Sequence, residues 1–590
     1  MQNWFHRFIR EARDWLEDLR SDLPLEEIRF KILRKIDAFY FDALAKTSLI
    51  HDLDLMIVRD CARAWRSILH PRSERITGRS VLKIMVDAVR GVAHPEVRSG
   101  FWAEVYHLVR GVQGRVRLHE KDSLVLPENL SGREAALWRS RSLDRLAHKV
   151  EKHIARYEHG LSPKAIKRRK LRRQKILHIL GGTEQDWYNW HWQLKHVART
   201  ANELSKIAVL TEDEIANIER AVAGNLPFGV TPYYASLFDD EPGGDRDRAL
   251  RAQVIPPEDY IDVMLSSEAR AEHDYMREHD TTVTDLVVRR YPGIVILKPY
   301  NSCPQICVYC QRNWEIEKPL APGAGASEDR LAKAIGWIER HKGIHEVLIT
   351  GGDPLVLSDS RLKAILDALA SINHVERIRI GTRMLVTMPM RITHALCAML
   401  GSYRKPGRRE VCVITHIEHP YEVTPELVRA VQLLLREGIR VYNQLVYTFY
   451  VSRRFEACAL RRLLSRCGVE PYYTFYPKGK EENASYRVPV ARLVQEFKEE
   501  ARLLPGLART DEPVFNVPGI GKNHLNAWQH RDIISIDNDG ARIYEFHPWE
   551  KKIAAQKTFI ARDVPILDYL HRLEAIGEDI NEYESIWYYF

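Results

Sequence analysis

Three of the chain's eight cysteines, Cys303, Cys307 and Cys310, fall within the stretch C-P-Q-I-C-V-Y-C. Thiolates at C-x3-C-x2-C spacing on one loop can hold three irons of a [4Fe-4S] cluster and leave the fourth iron without a protein ligand. That open corner is where a small molecule can bind. Zinc is the structural alternative, but structural zinc sites draw on two separated ligand pairs, and no C-x2-C or H-x3-H partner completes this one. Cys61, Cys397, Cys412, Cys458 and Cys467 are scattered through apolar or helical contexts and read as buried thiols.

The elements that must position such a loop are legible as a βα rhythm. The runs 293–298, 346–350, 377–380, 411–415, 440–447 and 471–476 are strand-like, and amphipathic helical stretches separate them. Parallel pairing with helices outside is the economical fold. Six βα units are too few for a closed eight-stranded barrel, so the expected class is α/β, an open partial (βα)6 barrel with chemistry at the C-terminal ends of its strands. The cysteines directly follow the first strand, and T-G-G-D-P-L (350–355) ends the second.

With Tyr309 before its last cysteine, the motif resembles that of the radical S-adenosylmethionine superfamily. There the open iron chelates S-adenosylmethionine, and one electron cleaves it to a 5′-deoxyadenosyl radical. From about Asp186 to Trp549, the motifs W-Y-N-W-H-W-Q-L, T-P-Y-Y-A-S-L, R-R-Y-P, G-G-D-P-L, T-H-I-E-H-P, N-Q and P-G-I-G-K resemble the lysine 2,3-aminomutase family, in that family's order. The resemblance implies a second cofactor, pyridoxal 5′-phosphate, carried by Lys522 as a Schiff base. It implies phosphate contacts from Arg290 and Tyr291, S-adenosylmethionine contacts from Gly351, Gly352, His416 and Gln444, and a substrate-carboxylate contact from Arg312. It also implies an isomerase that moves an α-amino group to the β-carbon, served by an electron donor such as flavodoxin or ferredoxin.

Departures from the lysine enzymes bear on the substrate. Where that family grips a distal ammonium with two aspartates, this chain has Lys478 and Asn516. Two like charges ~4 Å apart cost about 4 kcal/mol at an effective dielectric of 20, enough to exclude lysine if Lys478 faces the pocket. The pair resembles the glutamate 2,3-aminomutase branch, which makes glutamate the expected substrate, with lysine, arginine or another amino acid as alternatives. Phe475 replaces a family tyrosine, and Arg454 lies near the position of an inter-subunit zinc cysteine, so zinc is not expected and homo-oligomerisation is left open.

The remainder of the 590 residues sets the context. Composition is ordinary for a globular protein, 45% hydrophobic and 28% charged, with net charge +8. Residues 1–180 hold 37 Lys and Arg against 23 Asp and Glu, so the positive charge is concentrated there. Trp4, Phe5, Phe8, Ile9, Trp15, Leu16 and Leu19 mark one apolar helical face, and K-A-I-K-R-R-K-L-R-R-Q-K (164–175) offers either a solvated helix face or a site for a polyanionic partner. The expected organisation is an all-α basic N-terminal domain at 1–180, a family helical region at 183–280, the barrel at 281–505 and a C-terminal lysine-bearing β/α segment at 506–590. No run has the length of a transmembrane span or a signal peptide, which points to a cytoplasmic enzyme. Two rivals stand beside it, a nucleic-acid or acidic-protein binding module built on the basic region and an electron-transfer or sensory iron–sulfur protein.

Overall fold

The computed structural model describes residues 2–45, 52–118, 124, 126–266, 273–519, 521–548 and 557–590. A short ribbon, β1 (Thr282–Thr284) and β2 (Val287–Val288), leads into the strands read from the sequence. These are β3 (Ile294–Tyr300), β4 (Glu346–Gly351), β5 (Arg377–Gly381), β6 (Glu410–Thr415), β7 (Arg440–Val446) and β8 (Val469–Phe475). A hairpin of β9 (Glu512–Val517) and β10 (Gly521–His524) completes one ten-stranded mixed sheet whose spatial order follows the sequence. The parallel run extends from β3 to β9, one strand beyond the six expected, because β9 pairs parallel with β8.

Alternation along the strands explains the layering. Val347 and Ile349 on β4, Ile378 and Ile380 on β5, and Val411 and Val413 on β6 are buried. On the other face Leu348 and Cys412 are apolar and charge gathers on β5 and at the strand starts: Arg377 Nε donates to Glu410 at 2.6 Å, Arg379 Nη1 donates to the Tyr472 hydroxyl at 3.1 Å, and both arginines pair with Glu346. Strands covered by helices on both faces are normally apolar throughout. The charged residues of this face are satisfied by one another across β4, β5 and β6. Crossover helices Glu328–Arg340, Asp359–Ser371, His394–Ser402 and Pro425–Arg436 each start at a Ser or Thr whose hydroxyl accepts a backbone N–H, which sets their first turns against the strand ends.

The N-terminal helices share their core with the C-terminus. The amphipathic face expected over residues 4–19 buries Phe8, Trp15 and Leu19 inside the chain. Helices Asp52–Ile68 and Ser99–Val112 lie near a second sheet of β11 (Arg531–Ile536), β12 (Arg542–Phe546) and β13 (Phe559–Arg562). Gly100 meets that sheet's turn so closely that a Cβ there would stand 1.9 Å from the Asp539 carbonyl oxygen. Arg72 pairs with Glu545 at 2.6 Å, and Arg542 pairs with Glu104 at 3.1 Å with both side chains buried. One contiguous apolar cluster runs from Phe8 to Tyr588. Among the described residues no helix is long and apolar enough to cross a membrane.

Arg542 also donates to the carbonyls of Trp587 and Tyr589, at 2.7 and 2.5 Å. Arg542→Ala strands the buried Glu104 carboxylate and should lower unfolding free energy by about 3–5 kcal/mol. Denaturant titration of the full chain measures this, and replacing both partners by apolar residues of similar volume should restore much of the loss.

Candidate active site

Cys303, Cys307 and Cys310 lie on the loop after β3 as free, half-buried thiols, whereas the five other cysteines are free and fully buried. The loop is held from three sides. Gly352, at the end of β4, packs on Ser302 so tightly that a Cβ would stand 2.0 Å from the Ser302 carbonyl oxygen, and Asp353 N–H donates to that same oxygen at 2.9 Å. Gly351 adopts φ of +121°, a conformation that favours glycine. From the T-P-Y-Y region, the Gly229 carbonyl accepts from Ile306 N–H at 3.1 Å. On the third side, Arg383 donates from Nη1 to Cys307 Sγ at 2.8 Å.

Arg383 follows β5 and was not singled out by its sequence context. Its backbone N–H reaches buried Asp353 at 2.8 Å, its Nη2 reaches Glu422 at 3.0 Å, and its Nε reaches the His416 carbonyl at 3.3 Å. Burial pushes the Cys303 and Cys307 thiols up, and Arg383 opposes this at Cys307. His416 and Gln444 stand at the ends of β6 and β7. Burial first, and Arg383 second, bring His416 down to about 4, so its imidazole is neutral at pH 7. Among the described residues no three His, Cys, Asp or Glu side chains converge on a single metal ion. Three thiolates on a cuboidal cluster bind three separate irons and need no such convergence.

A second group of residues gathers around Lys522. In the β9–β10 hairpin Lys522 pairs directly with Asn516, so these two half-buried side chains share a face. Gly519 and Gly521 take φ of 69° and 97° in the turn, and Ile520 of P-G-I-G-K lies outside the described residues. The Lys522 ammonium sits 4.8 Å from the Tyr291 ring centre and 5.1 Å from that of Tyr473, and its backbone N–H donates to the Tyr291 hydroxyl at 3.2 Å. A register shift in the β7–β8 pairing lies beside Tyr472 and Tyr473, whose ring centres are 4.1 Å apart; Phe475 lies 5.6 Å from Tyr473. Burial, then Arg379 and Arg290, push Lys522 down to about 8.

Arg290, Arg312 and Lys478 join this cluster. Lys478 is held well below the ordinary lysine value by burial and then by Arg290, Lys522, Arg312 and Lys480. It forms none of the ion pairs described, while neighbouring Lys480 takes Glu482 at 2.5 Å. Among the described residues the carboxylate in contact with both arginines is Glu278, which sequence reasoning missed. Its Oε1 accepts from Arg312 Nε at 3.1 Å and Nη2 at 3.0 Å, its Oε2 lies 3.4 Å from Arg290 Nη2, and Lys298 stands 3.5 Å away. Burial works to raise Glu278, but Arg312, Lys298 and Arg290 hold it below the usual carboxylate range. Glu278 grips the Nε edge of Arg312 and leaves Nη1 without a described partner, directed elsewhere. Arg312 also ties the two halves of the site together, since its backbone N–H lies 3.3 Å from Cys310 Sγ. Arg454, near the position expected to match a zinc cysteine, pairs with Glu499 at 2.9 Å and Glu500 at 3.0 Å.

No family model matches the chain. An uncharacterized KamA family protein of Methanocaldococcus jannaschii is 42% identical over 597 aligned positions, covering 97% of this chain and 96% of its own length. The chain belongs to the KamA family. KamA-family radical S-adenosylmethionine aminomutases are isomerases that use a [4Fe-4S] cluster, S-adenosylmethionine and pyridoxal 5′-phosphate. The chain is also 36% identical to the glutamate 2,3-aminomutase of Clostridioides difficile, over 52% of this chain and 69% of that one. With the L-lysine 2,3-aminomutase of Bacillus subtilis it shares 34% identity, over 52% of this chain and 62% of the relative. This KamA chain thus matches the archaeal relative almost end to end, N-terminal helices included.

Two outcomes follow from the geometry. Gly352→Ala must displace the Ser302 backbone and with it the cysteine loop, so anaerobically reconstituted protein should lose most of its bound iron while keeping its fold by circular dichroism. Formation of a Schiff base between Lys522 and pyridoxal phosphate would need the neutral amine. Its rate should rise about tenfold per pH unit up to pH ~8 and level off above, rather than climbing past pH ~10 as for an ordinary lysine; Arg379→Met should move the inflection upward, as followed by the absorbance of the bound cofactor.

Proposed function

We propose that this chain moves the amino group of L-glutamate from the α- to the β-carbon, giving β-glutamate. The observation that carries the reading is Lys478, half-buried beside Arg290, Arg312 and Lys522 without a described ion pair. Arg290, Arg312 and Lys298 already share Glu278, and neither Lys478 nor Lys522 has a carboxylate among the described ion pairs, so the site is short of negative charge. A substrate with a second carboxylate supplies it, whereas the distal ammonium of lysine adds to the repulsion.

The residues present fit the three groups of the family. Cys303, Cys307 and Cys310 would hold the cluster, with Arg383 beside Cys307 favouring the thiolate. Gly351 and Gly352 would let a methionine moiety approach β4, and the neutral His416 with Gln444 would hydrogen-bond S-adenosylmethionine at the ends of β6 and β7. Arg290 and the Tyr291 hydroxyl would take the phosphate of pyridoxal phosphate. Lys522, nucleophilic at neutral pH because its amine is depressed, would attach that cofactor and yield it to the substrate amine. Bound together, these groups supply homolytic S-adenosylmethionine cleavage and a radical 1,2-shift of the amine.

The chain's own residues set what is bound and how. Arg312, its Nε edge fixed by Glu278, presents its other donors to the α-carboxylate. Lys478, with Asn516 on the neighbouring hairpin, meets the distal carboxylate. The rings of Tyr291 and Tyr473 flank the Lys522 amine, 4.8 and 5.1 Å from it. In this reading the six strands β3 to β8 form the partial (βα)6 barrel, and residues 1–180 its all-α N-terminal domain.

Anaerobic reconstitution with iron, sulfide and pyridoxal phosphate, followed by parallel assays with glutamate, aspartate and lysine, tests the proposal. Glutamate should be converted, and Lys478→Ala should lower its kcat/KM about thirtyfold or more, as expected for one partner of a buried charge pair. Turnover of lysine with none of glutamate overturns it.

A further inference from the structure

The basic run of the sequence lies on helix Pro163–Leu180, and its arginines turn towards acidic partners within the chain. Arg168 pairs with Glu158 at 2.6 Å, Arg169 with Glu426 at 2.7 Å, Arg172 with Asp239 at 2.5 Å and Arg173 with Glu184 at 3.0 Å. The start of this helix nevertheless borders a cavity of about 710 Å³, walled by helix Gly132–Ile154, the following loop, Pro420 and helix Glu456–Cys467. This volume lies within the ~300–1,000 Å³ range of small-molecule sites.

The charge on its wall is unbalanced. Five cations, Lys164, Arg168, Arg246, Arg462 and Arg466, face two carboxylates. Both are already engaged, Glu158 by Arg168 and Glu151 by Arg462, and Arg246 pairs with Asp239. Lys164 and Arg466 have no described ion pair. Nε of Arg168 and Nδ1 of His159 are buried without a hydrogen-bond partner. Arg466 is close enough to help depress the His159 imidazole, second to burial. The unpartnered Arg168 donor and uncompensated cations beside an open volume call for an anion. Ile154, Ala155 and Leu463 supply an apolar floor.

We propose that this cavity is a second binding site, distinct from the Lys522 site, for a small phosphate-bearing ligand of nucleotide size. Its occupancy reaches the cysteine loop through hydrogen bonds. Gly160 N–H donates to the Pro420 carbonyl at 3.1 Å, and a Cβ at Gly160 would stand 2.5 Å from the Tyr421 carbonyl oxygen, so loop and turn move together. Glu422 of that turn accepts from Arg383 at 3.0 Å, and Arg383 lies 2.8 Å from Cys307 Sγ. These bonds connect the Pro420 wall of the cavity to the support of the cysteine loop.

The test is calorimetric titration of inorganic pyrophosphate and of ATP without magnesium into the full chain loaded with its cluster and pyridoxal phosphate. Both should bind saturably, ATP more tightly because the floor takes its nucleoside. Arg466→Ala and Lys164→Ala should each weaken binding about tenfold, the worth of one charge-assisted hydrogen bond, while leaving pyridoxal phosphate loading unchanged. Absence of saturation by either anion, unchanged affinity in both variants, or displacement of the anion by added pyridoxal phosphate overturns the proposal.

Discussion

Positive charge held out of water is the constraint on which the site depends. Arg290, Arg312, Lys478 and Lys522 crowd one end of the sheet with Glu278 as the carboxylate that binds both arginines. Burying like charges together is unfavourable unless something neutralises them. Lys522 and Lys478 answer by losing affinity for their protons. The arginines cannot lose theirs, and they hold Glu278 ionised instead. The arrangement thereby favours anions before any specific hydrogen bond is considered.

Close backbone approach is the complementary device at the cysteine end. Gly352 lets β4 touch Ser302, and Asp353, Glu422 and the His416 carbonyl fix Arg383 against Cys307. Because these partners come from the ends of β4 and β6 and from the turn after β6, the cysteine loop inherits the rigidity of the sheet. The N-terminal helices belong to the same scaffold, through Gly160 on the Pro420 turn at one end and Gly100 on the Asp539 turn at the other. An extension of this kind is part of the support of the site rather than an appendage.

Much of this was legible in the chain itself. The cysteine spacing, the Gly-Gly after the second strand and the six apolar runs depend on neighbours within a few residues, so local pattern suffices to find them. The turn-borne lysine and the Lys478 and Asn516 substitutions were legible only beside a family pattern. Glu278, Arg383 and Tyr473 were not legible. Each is an ordinary residue type in an ordinary local context, and its importance comes from partners far along the chain: Arg312 for Glu278, Cys307 for Arg383, Lys522 for Tyr473.

The sequence by itself determined the iron–sulfur character of the cysteine loop, because thiolates at fixed spacing carry their ligand chemistry in covalent structure and local geometry, while the turn-borne lysine gained its meaning from the family pattern. Tertiary structure alone decided how that chemistry is tuned and held. Which face Lys478 presents, which carboxylate grips Arg312, and how the first hundred residues close over the last sixty all depend on contacts between residues tens to hundreds of positions apart. Charge and shape complementarity act through space, and a linear pattern does not encode those distances.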